Sequence, residues 1–352
     1  MTTTLPSIYD QTPADLLAFV REIGEPPFRA RQIRRNAYRA LIEDPERMTD
    51  LPAALRAELA RRFSFQPLRL EKQIVSADRR TRKFLFTLSD GAPVETVLML
   101  YERRRTGCIS TQSGCPVGCA FCATGQMGLR RSLSSGEIAA QVLFLERMLQ
   151  AQGTDLTNVV LMGMGEPFLN YDAVRGAIGS LTAPDGFGFG ARRLTVSTVG
   201  ILPGIRRFTA EHSQVNLAIS LHAADDDLRS RLIPVNRTYP LADLFGACDE
   251  YIRGTNRRLS LEWALIDGVN DSTAQAHHLA DRLRKHLSKP LVHINLIPLN
   301  PTRKYQGAPS QAARIAAFRS VLEEEGLACT IRLARGVDIA AGCGQLAGGE
   351  DK

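Results

Sequence analysis

Three of the chain's seven cysteines stand in one glycine-punctuated stretch, Gly114-Cys115-Pro116-Val117-Gly118-Cys119-Ala120-Phe121-Cys122-Ala123-Thr124-Gly125. Cys115, Cys119 and Cys122, with three and then two residues between them, can wrap a single loop around one inorganic centre. Three thiolates on three irons of a cubane leave the fourth iron open to a substrate ligand, and iron–sulfur clusters take cysteine thiolates as protein ligands. A tetrahedral zinc site is the alternative; it needs a fourth ligand, and no histidine lies near the triplet. The other cysteines are Cys108, Cys248, Cys329 and Cys343, and the odd total makes a poor disulfide framework. In a reducing cytosol clustered cysteines more often hold metals or do catalysis.

The elements that must position this loop alternate along the chain. Strand-like runs at Gly107–Thr111, Asn158–Met162, Arg193–Ser197, Gln214–Leu221, Leu259–Leu265 and Leu291–Leu296 are separated by helical patterns at about 135–149, 171–181, 201–211, 240–253, 272–287 and 309–325. This alternation predicts an α/β fold with a parallel sheet and right-handed crossovers. Curled, the sheet is a partial (β/α)6 TIM-like barrel, open on one side; a flat doubly wound sheet has the same periodicity. The cysteine loop then follows the first barrel strand. Gly163-Met164-Gly165-Glu166 follows the second, at the barrel end where ligands bind. Glycines there let backbone approach a ligand, although a plain strand-to-helix turn would use them too.

Residues 1–65 read as a small helical unit ahead of the barrel. Thr12-Pro13-Ala14-Asp15 caps a first helix that Gly24 stops, a second runs from Phe28 to Ile42, and a third from near Asp50 to about Phe63. Arg29, Arg31, Arg34, Arg35 and Arg39 give the second helix a basic face, which is either a polyanion contact or a solvated surface. Residues 66–100 read as a β-rich linker with a hairpin, Phe84 to Leu88 and Val94 to Leu98, around Ser89-Asp90-Gly91. Glu95 lies inside its second strand, where a charge is either the solvent side of an alternating pattern or functional. The core is then 101–336, and 337–352 is a C-terminal tail carrying Cys343.

A chain of 352 residues can bury a large core. Its net charge of +7 suits a polyanionic partner without requiring one. No apolar run approaches a bilayer span, and residues 1–10 lack a signal-peptide pattern, so a cytoplasmic protein without a membrane partner is expected.

The Cys-x-x-x-Cys-x-x-Cys loop after the first barrel strand resembles the radical S-adenosylmethionine (SAM) superfamily. The resemblance narrows with Cys108-Ile109-Ser110-Thr111-Gln112-Ser113-Gly114-Cys115, Met162-Gly163-Met164-Gly165-Glu166-Pro167 and Ile339-Ala340-Ala341-Gly342-Cys343-Gly344-Gln345-Leu346. Together with Met48-Thr49-Asp50-Leu51-Pro52 in the helical unit, these resemble the RlmN/Cfr family of RNA adenine methyltransferases over nearly the whole chain. Two places depart from the family: Asn36 stands where tryptophan is common, and Arg335-Gly336-Val337-Asp338 fits only loosely.

The resemblance implies that Cys115, Cys119 and Cys122 ligate a [4Fe–4S] cluster whose open iron chelates SAM. It implies that Gly165, Glu166, Ser197, Ser220, Leu221, His222 and Asn300 contact SAM, Glu166 by accepting a hydrogen bond from its ammonium. Cys343 would be methylated first, a radical drawn from a second SAM would activate that methyl for addition to the adenine, and Cys108 would resolve the protein–RNA adduct through a disulfide. Glu95 would accept the ring proton. Read without the family, Cys343 is a tail thiol, Cys108 a buried strand residue, and each polar strand end a satisfied structural group. Cys248 and Cys329 read as core residues.

The implied substrates are carbon 2 of adenosine 2503 in 23S rRNA and adenosine 37 of some tRNAs. Methylation at carbon 8 of the same rRNA adenosine shares every motif. A non-catalytic Fe–S or zinc RNA-binding protein is the remote alternative, and it would not require Cys108 and Cys343. Phosphates would meet the helical unit, Arg79–Lys83 and Arg103-Arg104-Arg105, and the target base would be extruded to reach the barrel. A low-potential flavodoxin or ferredoxin is the implied electron donor, and the chain is expected to be a monomer.

Overall fold

The computed structural model describes residues 5–332 and 335–349, so the outermost ends of the expected helical unit and tail lie outside the described residues. The chain opens with three helices, α1 (Pro13–Glu22), α2 (Phe28–Tyr38) and α3 (Ala53–Arg62). Thr12 and Asp15 cap α1 reciprocally: the Asp15 N–H donates to Thr12 Oγ1 at 3.2 Å and the Thr12 N–H to the Asp15 carboxylate at 2.8 Å. Helix α2 ends short of Ile42. The Ala40 N–H bonds back to Arg35 O, and Leu41 takes φ +54°, which turns its side chain into the core.

The remaining helices are α4 (Ala123–Met127), α5 (Ser135–Gln150), α6 (Tyr171–Thr182), α7 (Leu202–Ala210), α8 (Asp226–Leu232), α9 (Leu241–Thr255), α10 (Thr273–His286) and α11 (Ala312–Glu324). The strands are β1 (Leu68–Val75), β2 (Thr81–Leu88), β3 (Pro93–Leu100), β4 (Arg105–Cys108), β5 (Gln112–Gly114), β6 (Leu129–Ser132), β7 (Asn158–Leu161), β8 (Leu194–Thr198), β9 (Asn216–Ser220), β10 (Leu259–Leu265), β11 (Val292–Pro298) and β12 (Cys329–Ile331).

Ten strands form one sheet in the order β1-β2-β3-β4-β7-β8-β9-β10-β11-β12, and β5 and β6 make a separate hairpin beside the cysteine loop. From β4 onward every pairing in the large sheet is parallel, with helices between successive strands, which is the expected α/β architecture. Strands β1 to β3 form an antiparallel meander that joins the same sheet through β3 and β4, with Val97 opposite Cys108. The expected β linker is therefore continuous with the barrel wall. β1 and β12 end the strand order unpaired with each other, so the barrel stays open. Strand β10 is buried along almost its whole length, as a strand covered on both faces must be.

The helical unit is tied to the barrel by charge. Asp10 accepts from Ser134 Oγ (2.8 Å) and from the Gly136 N–H (2.6 Å) at the positive N-terminal end of α5. Buried Arg34 pairs with Asp185 at 3.3 Å, and Arg39 donates to Pro184 O at 2.8 Å. Arg29 donates to the Asp50 backbone carbonyl and Arg35 to the Asp50 carboxylate, which also accepts from Asn36 Nδ2 at 2.7 Å. The basic face expected on α2 is therefore largely engaged within the molecule, with Arg31 left exposed. Asn36 fills the tryptophan position as a partner of Asp50. Among the described residues no helix is long and apolar enough to cross a membrane.

Candidate active site

The cysteine loop leaves β5 and returns through β6. Gly114, at φ +79°, lies so close to Gly128 that a Cβ would sit 1.9 Å from Gly128 O. Only glycine lets the chain turn there and the Cys115 N–H reach Gly128 O at 2.9 Å. The back of the loop rests on α8: Val117 and Cys119 pack on Leu228, Leu232 and Ile233, and the Ala120 N–H bonds Leu232 O. This buttress was missing from the sequence reading, because a seven-residue helix between two longer ones has too few turns to show a period.

Cys115, Cys119 and Cys122 line one cavity. Burial pushes the Cys115 thiol up to about 12 and the Cys119 thiol well above its ordinary range. Thiols so placed ionise when a cation binds them. A tetrahedral structural zinc takes four protein ligands, whereas three thiolates suit a cubane that takes one cysteine on each of three irons.

The second barrel loop lies directly on the chain after β4. A Cβ on Gly163 would meet Ser110 Oγ at 2.6 Å, and one on Gly165, at φ +102°, would meet Gln112 Cβ at 2.6 Å. Close approach lets the Met164 N–H reach Ser110 Oγ (2.8 Å) and the Glu166 N–H reach Gln112 Oε1 (2.9 Å). The Glu166 carboxylate accepts from the Phe168 and Val199 N–H groups, each at 2.9 Å, which aims it into the cavity. Burial raises its pKa to about 7 despite these bonds.

The strand ends supply the rest of this wall. Ser197 and Ser220 close β8 and β9 with their hydroxyls 3.4 Å apart. His222 follows at φ +60°; its Nδ1 accepts the Ala264 N–H at 2.8 Å, which leaves the proton of the neutral ring on Nε2. Burial and the neighbouring Arg229 charge hold its pKa down to about 3, and Phe121 packs edge-on at 5.0 Å. Gly165, Glu166, Ser197, Ser220, His222 and Asn300 all face the cavity. Leu221 does not: its side chain is in the core, and its backbone is taken by Glu262 O and Arg229 Nε.

Cys108 and Cys343 line the same cavity. Cys108 ends β4 among Val97, Met164, Ala341 and Leu346, and burial together with Cys343 pushes its thiol up to about 12. Cys343 opens onto the cavity within a strap that Asn300 Nδ2 holds at Cys343 O (3.0 Å) and the Ala123 N–H at Gly344 O (2.7 Å). Both are free thiols. Glu95 lies apart from the cavity wall, beneath the strap: it pairs with Lys83 Nζ at 3.1 Å and accepts from the Ala347 and Gly348 N–H groups at 2.8 and 3.2 Å. Cys248 is buried in α9, and Cys329 is half-buried on the edge strand.

Sequence reasoning overlooked Arg229 and Arg332. Arg229 is fully buried, and its guanidinium donates to Val199 O (2.6 Å), Ser220 O (3.2 Å), Leu221 O (3.0 Å) and Asn236 Oδ1 (2.8 Å), tying the ends of β8 and β9. Arg332 lines the cavity 3.6 Å from Glu262, and its charge favours ionisation of both Cys108 and Cys343. Of the expected phosphate contacts, Arg79, Arg80, Arg103 and Arg104 are exposed, whereas Lys83 turns inward. Arg104 and Arg335 cover Tyr101 at 4.8 and 4.5 Å, and Tyr101 and Arg335 line the cavity.

Sequence profiles of known families match two segments. Residues 7–64 match the ribosomal RNA large subunit methyltransferase N-terminal domain, and residues 109–280 the radical SAM superfamily. A protein of Chloroflexus aurantiacus named "Probable dual-specificity RNA methyltransferase RlmN" is 50% identical, over 97% of this chain and 92% of its own. A protein of the same name from Corynebacterium diphtheriae is 46% identical over 94% and 90% of the two chains. The crystal structure of a radical SAM methyltransferase from Sphaerobacter thermophilus superposes with a TM-score of 0.94 at 49% identity, covering 97% of this chain and 99% of that one.

Proposed function

The chain belongs to the RlmN family of radical SAM RNA methyltransferases, and we propose on that premise that it methylates carbon 2 of adenosine 2503 in 23S rRNA and of adenosine 37 in tRNAs. Its cofactors are a [4Fe–4S] cluster and SAM, which supply methyl transfer and one-electron radical chemistry when bound. The observation that carries the reading is that Cys108 and Cys343, two cysteines with no ligand role, share one cavity with the cluster triplet. The dual-specificity name carried by the relatives favours carbon 2 over carbon 8.

In this reading the residues divide the work by position. Cys115, Cys119 and Cys122 hold the cluster; Glu166, Ser197, Ser220 and Asn300 offer polar groups to the amino-acid end of SAM, and the neutral His222 ring offers its Nε2 proton. Cys343 Sγ would give up its proton and accept the methyl group of one SAM; once the radical chemistry of a second SAM had removed one hydrogen atom from that group, its carbon would bond the adenine, the adduct returning one electron to the cluster as the ring proton leaves. Cys108 Sγ then attacks Cys343 Sγ: the S–S bond forms as the S–C bond to the base breaks, and the carbon takes a proton to become the methyl group. Glu95, the implied acceptor of the displaced ring proton, lies beneath the strap and off the cavity wall, so it takes that proton only when the strap lifts. A flavodoxin- or ferredoxin-type protein supplies electrons, and the enzyme works as a cytoplasmic monomer.

The test is anaerobic reconstitution with SAM, reductant and an unmethylated 23S rRNA fragment or tRNA, with nucleosides identified by mass spectrometry. The expected product is 2-methyladenosine, absent when Cys343→Ala replaces the wild type. 8-Methyladenosine would overturn the regiochemistry, and no methylated adenosine from iron-replete protein would overturn the activity.

A further inference from the structure

The strap around Cys343 has little regular structure of its own. It contains one short 3-10 turn, Val337–Ile339, and then a run of left-handed positions: Ala340 at φ +50°, Gly344 at +80°, Gly348 at +59° and Gly349 at +85°. Its path is set by contacts with other elements. Two of these are ionic and come from the antiparallel meander. Lys83 on β2 and Glu95 on β3 are diagonal neighbours, since Lys83 pairs with Val97 and Leu85 with Glu95, and their side chains meet at 3.1 Å. Lys83 Nζ also donates to Ala340 O at 3.1 Å, three residues before Cys343. Glu95 Oε2 accepts from the Ala347 and Gly348 N–H groups, four and five residues after it.

Burying such a pair strips both ions of water before attraction is counted, and apolar residues would hold the two strands together as well. What apolar residues would not do is bind a carbonyl on one side of Cys343 and two N–H groups on the other. We infer that Lys83 is a positioning residue: with Glu95 it clamps both ends of the strap and so fixes where Cys343 faces the cavity. The clamp stands on geometry alone; its effect on turnover rests on Cys343 as the methyl carrier.

The test uses the cluster-reconstituted full chain, as wild type, Lys83→Met and Lys83→Arg. Amide hydrogen exchange is followed over 336–349, with α9 as internal reference, beside SAM cleavage and RNA methylation rates. Loss of a charge-assisted anchor corresponds to about tenfold or more in local opening. Lys83→Met should therefore exchange its strap amides about tenfold faster with α9 unchanged, lower kcat for RNA methylation while SAM cleavage is kept, and be partly rescued by Lys83→Arg. Unchanged strap protection in Lys83→Met would overturn the clamp, and faster exchange with full RNA methylation would overturn its positioning role. Should Lys83→Met not fold, Ala347→Pro removes one N–H donor from the strap side and leaves the barrel intact; wild-type exchange at Gly348 in that variant would overturn the clamp equally. Wild-type protein that makes no methyladenosine would overturn the proposed function instead, with the exchange result still standing.

Discussion

His222 shows how a single residue is set by its surroundings. Its folded pKa of about 3 lies below the ordinary 6.5. Between those values the unfolded chain binds a proton that the folded chain does not, so this contribution to stability is complete above about 6.5 and is lost as pH falls toward 3. Glu166 runs the opposite way: raised from 4.5 to about 7, its contribution is complete below 4.5 and lost as pH rises through 7. His222→Asn keeps an acceptor for the Ala264 N–H and tolerates the left-handed backbone. Urea midpoints of the cluster-free variant should therefore fall less between pH 6.5 and 3 than those of the wild type; equal slopes would remove His222 as the cause. The cysteine triplet stood out by the spacing of its thiols, whereas Glu166 came with the family resemblance, since Gly163-Met164-Gly165-Glu166 alone also fits a plain strand-to-helix turn. Arg229 was not, because its partners are mostly backbone carbonyls that only the fold brings together.

The strand–helix alternation was readable at the scale of elements, because strands such as β9 and β10 are apolar runs and long helices such as α6, α9 and α10 keep an apolar face. The joining of β3 to β4 was not, since a hairpin's outer edge carries no sequence mark of its eventual partner. That pairing matters to the site: it sets Val97 opposite Cys108 and brings β3, with Glu95, under the strap. The loop after β7 is equally constrained. Gly165→Ala adds a Cβ 2.6 Å from Gln112 at φ +102°, so the turn must move. The expected cost is about 2–4 kcal/mol of unfolding free energy together with loss of SAM binding, read by urea denaturation and equilibrium dialysis. Wild-type SAM affinity in a folded Gly165→Ala protein would show that the glycine serves the turn alone.

Over the whole molecule, the open barrel and the charge distribution act together. Periodicity left curled and flat sheets equivalent; the structure shows the sheet with its strand ends lining one cavity. The net charge of +7 pointed to a polyanion, yet the structure divides the basic residues sharply. Those of α2 mostly hold the helical unit to itself and to the barrel, while Arg103 and Arg104 remain exposed, with Arg104 over Tyr101 at the cavity. RNA affinity of the Arg103→Ala/Arg104→Ala protein should be weaker, and the salt dependence of binding shallower by about two counterions, by fluorescence anisotropy across a salt series. An unchanged slope would move the phosphate contacts elsewhere.

The central claim is that Cys343 carries the methyl carbon to RNA and Cys108 releases it. The most direct measurement is a denaturing gel of reconstituted Cys108→Ala protein incubated with SAM, reductant and labelled RNA. A covalent protein–RNA species should accumulate with Cys108→Ala, and not with Cys108→Ala/Cys343→Ala. Free methylated RNA released by Cys108→Ala at the wild-type rate would contradict the account.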